Sequence, residues 1–131
     1  MANTLKMRKI EHIGIAVKSL EVSNVLFEKL FGQPPYKEEE VVSEGVKTSF
    51  FMNGPNKIEL LEATNPDSPI AKFLEKKGEG IHHIAFDVEN ILDEITRLKK
   101  EGFVVLNEIP KKGADNKLVV FLHPKGTNGV L

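Results

Sequence analysis

Two histidines, His12 and His83, each open a stretch that reads as a strand running into a helix. The first is His12-Ile13-Gly14-Ile15-Ala16-Val17-Lys18-Ser19-Leu20, continuing to Gly32. The second is His83-Ile84-Ala85-Phe86-Asp87-Val88-Glu89-Asn90-Ile91, continuing to Gly102. With His12 placed on His83, Ile13 meets Ile84, Gly14 meets Ala85, Ile15 meets Phe86, Val17 meets Val88 and Leu20 meets Ile91. A lone strand histidine is usually a hydrogen-bonded structural residue. Two at matching places in a repeat point to one shared task. Glu59 adds a carboxylate inside the apolar run Ile58-Glu59-Leu60, costly to desolvate unless paired or bound to a cation. His12, Glu59 and His83 are therefore candidate ligands for a divalent metal. Their nitrogen and oxygen donors suit zinc, cobalt, nickel, manganese or iron.

The elements that must position these residues are legible from periodicity. Lys9 to Val17 alternates, with Ile13, Ile15 and Val17 on one side and His12, Gly14 and Ala16 on the other. Ser19 suits an N-cap, and Leu20, Phe27, Leu30 and Phe31 recur at helical spacing before Gly32 and Pro34-Pro35. Strands are expected at Tyr36–Val42, Val46–Met52 and Lys57–Glu62, parted by turns at Glu44-Gly45 and Asn53-Gly54-Pro55-Asn56. Residues 64–80 read as a linker with a short helix opening at Ser68-Pro69. The second module repeats the order: a strand from His83, a helix capped by Asn90 with Ile91, Ile95 and Leu98 as its buried stripe, then strands at Val104–Leu106 and Leu118–Leu122. Lys111–Asn116 reads as a loop. A last strand is expected to start at Gly129-Val130-Leu131, with the counterpart of Glu59 just beyond Leu131. The expected organisation is one α+β domain over 1–131: module one about 9–63, linker 64–80 and module two about 81–131. Ile13, Ile15 and Val17 are expected beneath the first helix, and Ile84, Phe86 and Val88 beneath the last.

Other polar residues have plainer readings. His82 points away from His83 by strand alternation and is read as structural; His123, beside Pro124, reads as an exposed loop residue. Glu38-Glu39-Glu40 reads as a solvated edge that discourages strand addition. The 131 residues carry a net charge of −1, which offers nothing to nucleic acid or an anionic membrane. There is no cysteine, so disulfides and thiolate metal sites are excluded, in keeping with a reducing, cytoplasmic setting. No apolar run approaches the roughly 18 residues of a membrane span. Met1 to Lys6 lacks the apolar core of a secretory signal and reads as a frayed start, with Met7 as an older initiator.

These motifs resemble the vicinal oxygen chelate superfamily and, within it, the methylmalonyl-CoA epimerase family. The resemblance runs from Lys9 onward. It rests on Glu11-His12-Ile13-Gly14-Ile15-Ala16-Val17, Lys57-Ile58-Glu59-Leu60-Leu61, Asp67-Ser68-Pro69-Ile70-Ala71-Lys72-Phe73-Leu74, Gly80-Ile81-His82-His83-Ile84-Ala85-Phe86, and Phe121-Leu122-His123-Pro124-Lys125 with Gly129-Val130-Leu131. It implies paired βαβββ modules forming an open, cupped sheet with helices on the convex side and a divalent metal on the concave face. The family's ligands fall on His12, Glu59 and His83; some members have glutamine at the position of Glu59. Its fourth ligand, a last-strand glutamate, has no counterpart before Leu131. Some members place a second catalytic glutamate where this chain has Thr48. A hydroxyl is no general base near neutral pH, so no catalytic residue is assigned. The resemblance further implies an acyl-CoA substrate, a homodimer, and removal and return of the proton between two carbonyls. Glyoxalase I (lactoylglutathione lyase) is the competing enzymatic reading, and a non-catalytic small-molecule-binding protein of the same fold is the third.

Overall fold

The computed structural model describes residues 7–131, so the frayed start expected at Met1–Lys6 lies outside the described residues. The chain falls into two compact units: Glu11–Ala85, and the chain up to Ile10 together with Phe86–Leu131. A five-stranded sheet, in the order β2-β3-β4-β1-β5, is built from β1 (Met7–Ala16), β2 (Lys37–Val41), β3 (Val46–Asn53), β4 (Asn56–Ala63) and β5 (Gly80–Val88). The expected mixed α+β class with helices packed on a sheet is what the chain adopts.

The first unit follows the expected β-α-β-β-β order. The helix α1 (Leu20–Phe31) begins where the Ser19 side chain accepts the Val22 N–H. It stops at Gly32, whose φ of 77° is a left-handed conformation that glycine adopts without a steric penalty. This connection returns the chain so that β4 lies parallel to β1, with Ile13 against Ile58 and Ile15 against Leu60. Strands β2, β3 and β4 are antiparallel neighbours. The helix α2 (Pro69–Lys77) opens as expected, with Ser68 accepting the Ala71 N–H and Pro69 in the first turn.

Each face of this sheet has its own helix. On one, Val17, Leu20, Phe51 and Leu60 form a buried cluster flanked by Ile15, Phe27, Phe31 and Ile58. On the other, Ala16, Val46 and Leu61 are sealed by Ile70 of α2, with Phe73 and Leu74 alongside. Residues Thr48 to Phe51 of β3 are consequently all buried, as expected of a strand covered on both sides. Val17 is buried as expected, but Ile13 and Ile15 are only half-buried, because α1 lies chiefly over β3 and β4.

The second unit departs from the expected repeat. Its helix α3 (Ile91–Lys100) is capped by the Asn90 side chain, which accepts the Asp93 N–H, and buries Ile95 and Leu98. Phe86, expected beneath this helix, is 51% exposed. It sits on β5, the outermost strand, which lacks the second flanking row that encloses Phe50 and Phe51. The strands expected at Val104–Leu106 and Leu118–Leu122 shrink to one antiparallel bridge, Val105 to Leu122, and the two-residue β7 (Leu118–Val119). The Asn107 side chain is the reason: its amide donates to the Val119 and Ile109 carbonyls and its oxygen accepts the Phe121 N–H. It thereby satisfies groups that a continuing ladder would pair. Partnering β7 is β6 (Lys111–Lys112), within the stretch read as a loop. No strand forms at Gly129–Leu131. Asn128 and Gly129 take φ of 57° and 85° in succession, turning the chain, and the Gly129 and Val130 N–H groups donate back to Pro124 and Thr127.

This packing predicts a contrast between two phenylalanines. Phe51→Ala empties an enclosed site and should cost about 3–5 kcal/mol. Phe86→Ala removes a half-solvated ring and should cost about 1 kcal/mol or less. Urea denaturation of both variants checks the difference, and equal losses would contradict it.

Candidate functional site

The parallel register of β1 and β4 sets His12 against Lys57 and Gly14 against Glu59. Residues two apart on a strand share a face, so His12, Gly14, Lys57 and Glu59 all look the same way. From β5, His83 lays its imidazole directly over Gly14. A Cβ at that glycine would stand 2.3 Å from His83 Cε1, so the approach requires a residue without a side chain. His12, Glu59 and His83 are thus gathered on one face of one sheet. Thr48 shares that face, one strand outward and opposite Leu61; it is fully buried and its hydroxyl has no hydrogen-bond partner.

His12 is the hub. Its Nδ1 lies 2.8 Å from Glu11 Oε1 and 3.3 Å from Glu59 Oε2. Its Nε2 faces His83 Nε2 at 2.9 Å, with the rings edge to face. Lys57 Nζ holds the other Glu11 oxygen at 2.9 Å. On the far side, His83 Nδ1 meets His82 Nδ1 at 2.9 Å, and the His82 ring stands edge-on to Phe73.

Reasoning from sequence missed three members of this cluster. Glu11 and His82 alternate away from the site along their strands, yet each reaches round to its neighbouring histidine. Lys57 carried a usable signal, since it shares the face of Glu59 by period two. His123, read as an exposed loop residue, is half-buried and caps the turn at Pro124–Thr127, its Nδ1 accepting the Lys125 N–H.

Burial, followed by the neighbouring His12 and His82, pushes the His83 imidazole down to about 3. Burial lowers His82 as well. Burial raises Glu11, but its bonds to His12 and Lys57 outweigh that and hold it below the usual carboxylate range. His83 is therefore neutral near pH 7. The partners fix the tautomers that fit a ligand role: His12 donates Nδ1–H to Glu11, and His83 donates Nδ1–H to His82. Both Nε2 lone pairs then point at each other across 2.9 Å and require a proton or a cation between them. Glu11, His12 and Glu59 also each present a ligand atom within 4.8 Å of one another. Neutral imidazoles beside carboxylates fit a borderline divalent ion, so the residues present match the metal that the family resemblance implies.

Two measurements test this geometry. Gly14→Ala forces the His83 ring aside and should destabilise the fold by about 1–3 kcal/mol. Its check is a denaturation midpoint, and no shift would contradict the packing. The second is pH. Folded His83 takes its proton only near pH 3, whereas the unfolded chain takes it near 6.5. Below pH 6.5 the unfolded state binds more protons, so stability falls as pH falls toward 3, by at most about 1.4 kcal/mol per pH unit from this group. Between pH 6.5 and 5, above the carboxylate range, His83→Gln should flatten the slope of unfolding free energy against pH.

Comparison with known proteins places this geometry. The family model described as Glyoxalase/Bleomycin resistance protein/Dioxygenase superfamily matches residues 11–121. An ethylmalonyl-CoA/methylmalonyl-CoA epimerase of Cereibacter sphaeroides is 44% identical, over 94% of this chain and 93% of its own. The mitochondrial methylmalonyl-CoA epimerase of Homo sapiens is 40% identical, over 94% of this chain and 70% of its own. A crystal form of methylmalonyl-CoA epimerase in complex with methylmalonyl-CoA and NH4+ superposes with a TM-score of 0.90 at 32% identity, covering 95% of this chain and 90% of that one. A match spanning both histidine strands and Glu59, in a chain whose relatives align along nearly all of it, makes this protein a member of the Glyoxalase/Bleomycin resistance protein/Dioxygenase superfamily.

Proposed function

We propose that this protein is a metal-dependent epimerase that interconverts (R)- and (S)-methylmalonyl-CoA by removing and returning a proton. The observation that carries the reading is the convergence of buried Glu59 with His12 and His83 on one sheet face. The chain's 36–44% identity to enzymes named for this substrate supports it. The family resemblance supports a cytoplasmic homodimer; among the described residues, no helix is long and apolar enough to cross a membrane.

The mechanism follows from the side chains. His12, Glu59 and His83 are the proposed ligands. A divalent ion bound there supplies the positive charge that makes the carbon between the thioester and carboxylate carbonyls acidic. Glu11, fixed by Lys57, holds the His12 Nδ1 proton and so keeps Nε2 as a lone pair. His82 does the same for His83. The enclosing cluster excludes water around Glu59, which is 4% exposed, and so strengthens its interaction with a cation. Returning the proton to the opposite face needs a second acid–base group, and the neutral Thr48 hydroxyl does not supply one.

The test is exchange of solvent deuterium into methylmalonyl-CoA after reconstitution with each of cobalt, zinc, nickel, manganese and iron. The protein should catalyse exchange with at least one of them. His83→Ala should weaken metal binding and lower the rate by about 10²-fold or more. Absence of exchange with every metal would overturn the proposal. Turnover of the methylglyoxal–glutathione hemithioacetal in its place would redirect it to glyoxalase I.

A further inference from the structure

Beside the histidine cluster, the outer surface of α2 forms an open groove of about 360 Å³, with Lys72, Phe73, Lys76, Lys77 and His82 in its lining. Pro69, which also lines it, stands with Lys72, Phe73 and Lys76 at i, i+3, i+4 and i+7, so one helix stripe makes the wall. Three ammonium groups enter the groove against a single carboxylate, Glu75. Among the described residues, no carboxylate forms an ion pair with Lys72, Lys76 or Lys77. Arg8, Lys37, Lys57, Arg97 and Lys99, by contrast, are each paired with an acid.

The groove also has an aromatic floor. Phe73 is half-buried, with His82 edge-on at 4.9 Å and Lys77 Nζ 5.8 Å from its centroid. This floor touches the metal-ligand cluster, because His82 Nδ1 lies 2.9 Å from His83 Nδ1. A nine-residue helix runs about 14 Å. The groove is thus a cationic, aromatic channel that starts at the proposed reaction centre and leads away from it. The ligand that matches is long, with a reactive head, an apolar arm and an anionic, aromatic tail.

We infer that the α2 groove seats the phosphate-bearing adenosine arm of the coenzyme A thioester, with Lys72, Lys76 and Lys77 meeting its phosphates. This rests on the epimerase reading and assigns a substrate-binding role to residues outside the ligand cluster. The lysines act on binding, not on the proton transfer, so substitutions there should separate KM from kcat.

The test compares two substrates on the full metal-loaded protein: methylmalonyl-CoA, and methylmalonyl-pantetheine, which keeps the reacting head but lacks every phosphate and the adenosine. Lys72→Ala/Lys76→Ala and Lys77→Ala are both made, each on the solvent face of α2 where folding is unaffected. The expected result is a KM for the CoA ester about tenfold higher or more, kcat within twofold, and an unchanged KM for the pantetheine ester. An unchanged KM for the CoA ester, or equal losses on both substrates, would overturn the groove. A second readout needs no turnover. Adenosine 3′,5′-bisphosphate should bind the wild-type protein by calorimetry, weaken with salt, and bind the double variant at least tenfold more weakly. If wild type exchanges neither ester yet binds this probe through the lysines, the groove stands and the reaction assignment falls. If it exchanges both esters but binds the probe equally with and without the lysines, the reverse holds.

Discussion

A carboxylate in the middle of a sheet is the constraint on which the rest of this protein depends. Glu59 is almost wholly buried on β4 and cannot stay ionised there without nearby positive charge or hydrogen-bond donors. Its neighbours answer that demand in an order set by strand register. His12 reaches it from the adjoining parallel strand, Glu11 and Lys57 fix the orientation of His12, and His83 closes the cluster from β5. Each of these contacts spans residues far apart in sequence. The cluster therefore exists only once β1, β4 and β5 have paired, and the polar site and the sheet are one cooperative object.

The two faces of the sheet divide the labour. Apolar packing is concentrated where α1 covers Phe51 and Leu60, and again where Ile70 of α2 covers Ala16, Val46 and Leu61. Between these clusters, the polar residues sit on a backbone that cannot drift, because β3 is enclosed on both sides. A site that must hold imidazoles at hydrogen-bond distance gains from such a setting, since a shift of an ångström would break every contact at once.

How much of this was legible in the sequence depends on the range of the interactions. The caps at Ser19, Ser68 and Asn90 and the glycine stop at Gly32 act within a few residues, and all four appear where the local pattern placed them. The common face of His12 and Glu59 followed from period-two alternation in two strands. Glu11 and His82 were missed because alternation describes where a Cβ points, not how far a flexible side chain bends back. The second module was overread for a different reason. The repeat predicts strands at Val104–Leu106 and Leu118–Leu122, but a single amide, Asn107, captures the backbone groups that would have formed the ladder. Pattern matching has no means of pricing that competition.

The grouping of Lys57, Glu11 and Glu59 around neutral rings also sets a sign. Counted together, these side chains carry one positive and two negative charges, an excess of one anion in a largely dry environment. On their own they draw in cations and turn anions away. A dication inverts that balance and leaves one positive charge over, so the same pocket then attracts what it had repelled. Assembly acquires a direction: cation first, anionic ligand second, with the reverse order opposed by the protein's own field. Three charged side chains of the resting fold are enough to impose that sequence of events.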